Sequence, residues 1–266
     1  MTLVFSGIAT HTPILMPRIG KAEGLKMIEK TGQAMELFKQ ELLMTRPDIV
    51  VVISPHGEML TDAVTINLNS KYVSRFDEFG DLVTKDEWRP ATMLIDRLRE
   101  DSKRLHLPLT LTSEDFLDYG TSVPLHYLTE NLKDVRIVPM RPSSGLSLKA
   151  HFEIGAALKS EIMDSTSRIV VIASADLSHR VGENSPGGLS PKGVAFDDKI
   201  IELLRERNPI GILDIDEDWI KEAQACGAAP LALLFGLLDG MNIEPHIFSY
   251  EKPLGVGYLI AGIRTS

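Results

Sequence analysis

Seven histidines and a single cysteine are the side chains of this 266-residue sequence best suited to hold a metal or to move protons. Three of the histidines share a local setting. His11 stands in Thr10-His11-Thr12-Pro13, His56 in Ser54-Pro55-His56-Gly57, and His179 in Ser174-Ala175-Asp176-Leu177-Ser178-His179-Arg180. Each follows a short apolar run. A neutral imidazole is a ligand for first-row metals, and its ordinary pKa of ~6.5 suits proton transfer near neutrality. His106, His151 and His246 fall at the starts of expected elements and read as solvated or structural. His126 falls inside an expected helix and reads either way. Arg141 and Arg180 are candidates to bind a substrate carboxylate; the alternative is a surface ion pair, preferred for Arg141. No Walker-type loop, G-x-S-x-G elbow or H-E-x-x-H helix competes with the histidines.

The elements that must position these residues are legible as periodicity. Residues 3–9 are a short apolar run, and 48–54 and 168–174 are continuous, largely β-branched runs; all three read as buried strands. Residues 63–68 alternate more and read as an edge strand. Residues 107–113 and 135–140 are further strands, and 245–251 with 255–261 form a closing hairpin. Helical spacing marks residues 21–45 as one long helix, followed by helices at 123–132, 146–163, 194–206 and 216–225 and an apolar helix from Pro230 to 238. Strands alternating with helices predict an α/β sandwich: one domain with a mainly parallel or mixed central sheet flanked by helices. Such sheets bind ligands beyond the carboxyl ends of their strands. His11, His56 and His179 each follow such an end, so they are expected to converge on one cleft. The loop at 182–193, just past His179, is long for a compact domain and is expected to be functional.

Composition removes other classes. The net charge is −9 and no basic tract is present, which argues against nucleic acid or an anionic membrane as partner. One cysteine cannot form an intramolecular disulfide or a Cys-rich zinc module. No run reaches the ~18 apolar residues of a membrane span, and residues 1–7 lack the basic start of a signal peptide. A soluble cytoplasmic protein is the expectation, with homo-oligomerisation left open.

Ser54-Pro-His-Gly57, Asp118-Tyr-Gly-Thr-Ser-Val-Pro-Leu-His126, Ser174-Ala-Asp-Leu-Ser-His-Arg180 and Cys226-Gly-Ala-Ala-Pro230 together resemble the class III extradiol ring-cleavage dioxygenases. This is the superfamily of the protocatechuate 4,5-dioxygenase catalytic subunit. The Cys226 segment and Ser249-Tyr-Glu-Lys-Pro-Leu-Gly-Val-Gly257 are closer to its Memo-like branch. The resemblance runs from His11 to Tyr258 and implies one LigB/Memo-like domain over residues 1–266. It further implies a non-haem Fe(II) held by His11 and His56, with His179 as the acid–base group. Asp176 is implied to orient the loop or the ring. Tyr119 stands where many relatives carry a histidine and is a hydrogen-bond donor to a bound oxygen. The family's third ligand, a glutamate, is missing before Pro230. Cys226 is the preferred substitute, Glu222 the other, and an ordinary buried cysteine the alternative. A thiolate would admit zinc or copper as well as iron. The implied activity is cleavage of a catechol- or aminophenol-type ring with O₂. The alternative is a Memo-like metal-binding protein with a redox or accessory role and no ring cleavage.

Overall fold

The computed structural model describes residues 2–265. In chain order the helices are α1 (Pro17–Met27), α2 (Glu29–Met44), α3 (Thr92–Arg104), α4 (Tyr119–Thr129), α5 (Leu148–Met163), α6 (Pro191–Arg205), α7 (Glu217–Ala223) and α8 (Ala228–Leu238). The strands are β1 (Leu3–Ala9), β2 (Ile49–Ile53), β3 (Val64–Asn67), β4 (Tyr72–Ser74), β5 (Glu87–Pro90), β6 (Leu109–Thr112), β7 (Phe116–Leu117), β8 (Arg136–Arg141), β9 (Ile169–Ser174), β10 (Ile243–Glu251) and β11 (Tyr258–Thr265). All eleven join one sheet, ordered β10-β11-β1-β9-β2-β8-β5-β4-β7, with β3 pairing to β8 and β6. The sheet is open and mixed. Its centre, β1-β9-β2-β8, is parallel throughout, and β11 and β10 close one side as an antiparallel pair. This is the expected single α/β domain. Among the described residues, no helix is long and apolar enough to cross a membrane.

Why the central strands are apolar at every position is visible in the packing. Ile49, Val51 and Ile53 of β2 face one core, and Val50 and Val52 face the other. β9 alternates the same way. Helices α3, α5, α6 and α8 cover the first face, and α2 and α4 the second. A sheet covered on both faces offers no polar side, so period-2 alternation vanishes from its strands. Where α5 crosses α8, backbone meets backbone. A Cβ on Gly236 would stand 1.9 Å from the Phe152 carbonyl oxygen, and one on Gly155 2.1 Å from that of Leu233.

Several expectations need correction. The helix expected over 21–45 is two, broken at Ile28, whose φ of −115° leaves the helical region. The strand expected at an edge, β3, is buried at all its positions and has neighbours on both sides. It meets the C-terminal half of β8, while β5 meets the N-terminal half, so the sheet forks there. Between residues 69 and 106 the sequence reading placed nothing, yet β4, β5 and α3 lie there. The two strands are three and four residues long, too short to show a period. Helix α4 begins at Tyr119, earlier than expected, because Asp118 caps it by accepting the Thr121 N–H. Helix α7 stops at Ala223, where Gln224 turns left-handed.

The parallel centre puts the carboxyl ends of β1, β9, β2 and β8 along one edge. Thr10-His11, Ala175-Asp176, Ser54-Pro55-His56 and Arg141 emerge side by side there.

Candidate metal centre

At this edge, Nε2 of His11 and Nε2 of His56 lie 3.0 Å apart, and Sγ of Cys226 lies 3.6 Å from Nε2 of His11. The three donor atoms fall within 4.8 Å of one another. Nε2 of His179 is 3.7 Å from the same sulfur. The Tyr119 hydroxyl is 2.9 Å from Nε2 of His56, and the two rings stack with centroids 4.3 Å apart.

The tautomer of His11 follows from hydrogen-bond accounting. Its Nδ1 lies 2.9 Å from Oγ of Ser174. That hydroxyl spends its only hydrogen on the Gly120 carbonyl, at 2.5 Å. Ser174 therefore accepts, His11 carries its proton on Nδ1, and the Nε2 lone pair is left for the cluster. Gly120 has a carbonyl free for Ser174 because the residue four further on is Pro124, which has no N–H to close the helical bond. Asp176 holds His11 from the other side. One carboxylate oxygen accepts from the Thr10 hydroxyl and from the His11 N–H at 3.1 Å. The other lies 3.6 Å from Nε2 of His11. The Asp176 carbonyl accepts from the Cys226 thiol at 3.6 Å and from the Gly227 N–H at 3.0 Å, which seats the start of α8 against the centre.

Burial, reinforced by His11, holds the His56 imidazole down to about 4. Burial also lowers His179, with His11 adding to it and Asp176 opposing. Both rings are therefore neutral near pH 7, as ligation and proton acceptance require. Burial, with the Asp176 carboxylate, pushes the Cys226 thiol far up. Without a cation that group is a thiol; a metal's charge would convert it to a thiolate ligand. Two imidazoles and one sulfur suit a first-row transition metal.

A family profile, the catalytic LigB subunit of aromatic ring-opening dioxygenase, matches residues 7–261. The chain belongs to the LigB family. This places it in a dioxygenase-like superfamily whose enzymes are metal-dependent. Among curated proteins, it is similar to Protein CA_C1420 of Clostridium acetobutylicum, with 29% identity over 257 residues. That match covers 93% of this chain and 54% of the relative, so the chain spans about half the length of that protein. Among solved structures, uncharacterized protein JW3007 from Escherichia coli K12 shares the fold. The TM-score is 0.67 at 20% identity, covering 97% of this chain and 99% of that one.

Within this LigB domain the residues singled out from sequence divide clearly. His11, His56, Cys226, His179, Asp176 and Tyr119 are brought together. Glu222 is not. It is exposed, and its carboxylate accepts from Ser190 Oγ at 3.0 Å. A shared helical face with Cys226 required α7 to continue, and Gln224 ends it. Arg141 is ion-paired, as preferred, but buried rather than on the surface. It bonds Glu114 through both terminal nitrogens and Asp118 through Nε at 3.3 Å. Arg180 donates to the carbonyls of Gly188 and Glu222. His151 is fully buried, not solvated, with both ring nitrogens bonded to the backbone of Ser143 and Ser147. His126 pairs with Asp86 and His246 with Glu41. The loop after His179 is pinned by Ser185, whose hydroxyl donates to the Gly255 carbonyl.

Sequence reasoning assigned no role to the supporting hydroxyls. Ser54 donates to Asp118 at 2.5 Å and accepts the His56 N–H at 3.2 Å; Ser174 bonds Nδ1 of His11, and Thr10 donates to Asp176. A signal was available: both histidine-bearing motifs that begin with serine place that serine at the strand end.

Proposed function

We propose that the chain is a metal-dependent ring-opening dioxygenase for a small catechol- or aminophenol-type substrate, with His11, His56 and Cys226 as metal ligands. The observation that carries this reading is the convergence of their donor atoms within 4.8 Å beside the neutral His179. When bound, the metal would supply Lewis acidity and O₂ chemistry; iron is the proposed ion, with zinc and copper compatible with the sulfur. The protein's own groups do the rest. His179 accepts a proton from a substrate hydroxyl through its neutral ring. Tyr119 cannot take that role, because burial pushes its hydroxyl further up, and it donates a hydrogen bond instead. Asp176 and Ser174 orient His11.

Anaerobic reconstitution with Fe(II), then oxygen uptake across a panel of catechols and aminophenols, tests the proposal. Uptake with a coloured ring-opened product is expected, and its loss in His179→Gln. The sulfur standing where relatives carry a carboxylate favours a second reading, a Memo-like redox or accessory protein. Stoichiometric metal binding without uptake on any ring would decide for that second reading.

A further inference from the structure

Beside His56 the edge of the sheet opens into a cavity of about 290 Å³, lined among others by His56, Tyr119, Phe116, Glu78, Arg75 and Arg141. Its walls offer aromatic surface. Phe79 meets the Tyr119 ring edge-on at 5.1 Å, and Tyr119 stacks on His56. Its charges are unevenly spent. The Arg141 guanidinium is 3% exposed and already shared between Glu114 and Asp118. Arg75 bonds Asp77 at 3.0 Å and lies over the Phe116 ring, 5.0 Å from its centroid. The mouth therefore sets two guanidinium groups, both ion-paired, against three carboxylates, of which Glu78 has no cationic partner among the described residues.

A ring bearing a carboxylate would enter a negative field and find no free guanidinium. A ring bearing an ammonium group would find the Glu78 carboxylate, which attracts it. The overall charge of −9 works in the same direction. We propose that this cleft selects a catechol-type ring with a cationic substituent over one with a carboxylate, and that Glu78 is the specificity-determining residue. The proposal rests on the ring-opening reading above and names its substrate class.

The test is equilibrium binding by calorimetry, without oxygen, to the metal-loaded full chain. The probes are 4-(2-aminoethyl)catechol, 4-methylcatechol and 3,4-dihydroxybenzoate. The amine is expected to bind roughly tenfold more tightly than the carboxylate, with the methyl compound between them. Glu78→Gln should bring the amine down to the methyl compound, and Glu78→Lys should invert the order. Glu78 is exposed, so both variants should fold. A carboxylate that binds the wild type as tightly as the amine overturns the proposal, as does a preference unchanged in Glu78→Gln. In either case the ring-opening reading survives, because a ring still binds. Metal-loaded protein that binds none of the rings overturns both.

Discussion

His11 is the residue on which the centre turns, and its usefulness depends on one hydroxyl. Ser174 accepts from Nδ1 only because its own hydrogen is committed to Gly120, and that commitment leaves the Nε2 lone pair facing His56 and Cys226. Ser174→Ala removes the constraint without touching a ligand. Metal affinity should fall about 10–100-fold, the usual cost of losing such a partner, while the fold survives. Competitive Zn(II) titration against a chelating dye measures it; an unchanged affinity would show that the tautomer needs no support. Cys226→Ser replaces a soft donor by a poor one and should abolish stoichiometric zinc or copper binding, read by elemental analysis after gel filtration. Undiminished metal in this variant would mean that Cys226 is only a buried cysteine.

Among the elements, α5 and α8 cross in the first core with backbone against backbone at Gly155 and Gly236. Gly236→Ala forces a methyl group onto the Phe152 carbonyl, so one helix must shift. The expected cost is about 1–3 kcal/mol, measured by urea unfolding. A loss below a few tenths of a kcal/mol would mean that the crossing is looser than its 1.9 Å clearance indicates. Because α8 starts immediately after Cys226, a shift of that helix should also weaken metal binding. The apolar content of α8 was readable from sequence, but its crossing was not, since the glycines gain meaning only from the carbonyls opposite. The same holds for α7. Its end at Gln224, which separates Glu222 from Cys226, follows from a left-handed residue that no periodicity announces.

Across the whole molecule, one buried carboxylate links stability to pH. Asp197 of α6 is fully buried and accepts from the Ser178 N–H and the Tyr250 hydroxyl, both at 2.8 Å. Burial pushes it up to about 7 from an ordinary 3.8; the two hydrogen bonds and Lys252 oppose this, and Asp198 adds to it. Between those values the folded state binds more protons than the unfolded state. The stability that Asp197 contributes is therefore present in full below about pH 4, falls as pH rises to about 7, and is level above that, a change of about 4 kcal/mol, while the lowered His56 and His179 act in the opposite direction. Asp197→Asn should remove that share of the slope, seen by comparing urea midpoints at pH 5 and 8 in both proteins. An identical slope in the variant would rule out Asp197 as its source.

By itself, the sequence determined the class of fold, because three short apolar runs, two of them continuously β-branched, separated by helical periodicity fit a sheet covered on both faces. It also determined the candidate donors, because few residue types bind metals or move protons and these stand at strand ends. Only the tertiary structure brought Cys226 rather than Glu222 beside His11 and His56, locked Arg141 against two carboxylates, and gave His11 its tautomer. Those outcomes depend on which groups meet across stretches of chain from 23 residues, between Asp118 and Arg141, to 215, between His11 and Cys226. Hydrogen-bond supply and demand is settled by such meetings, and no local pattern records them.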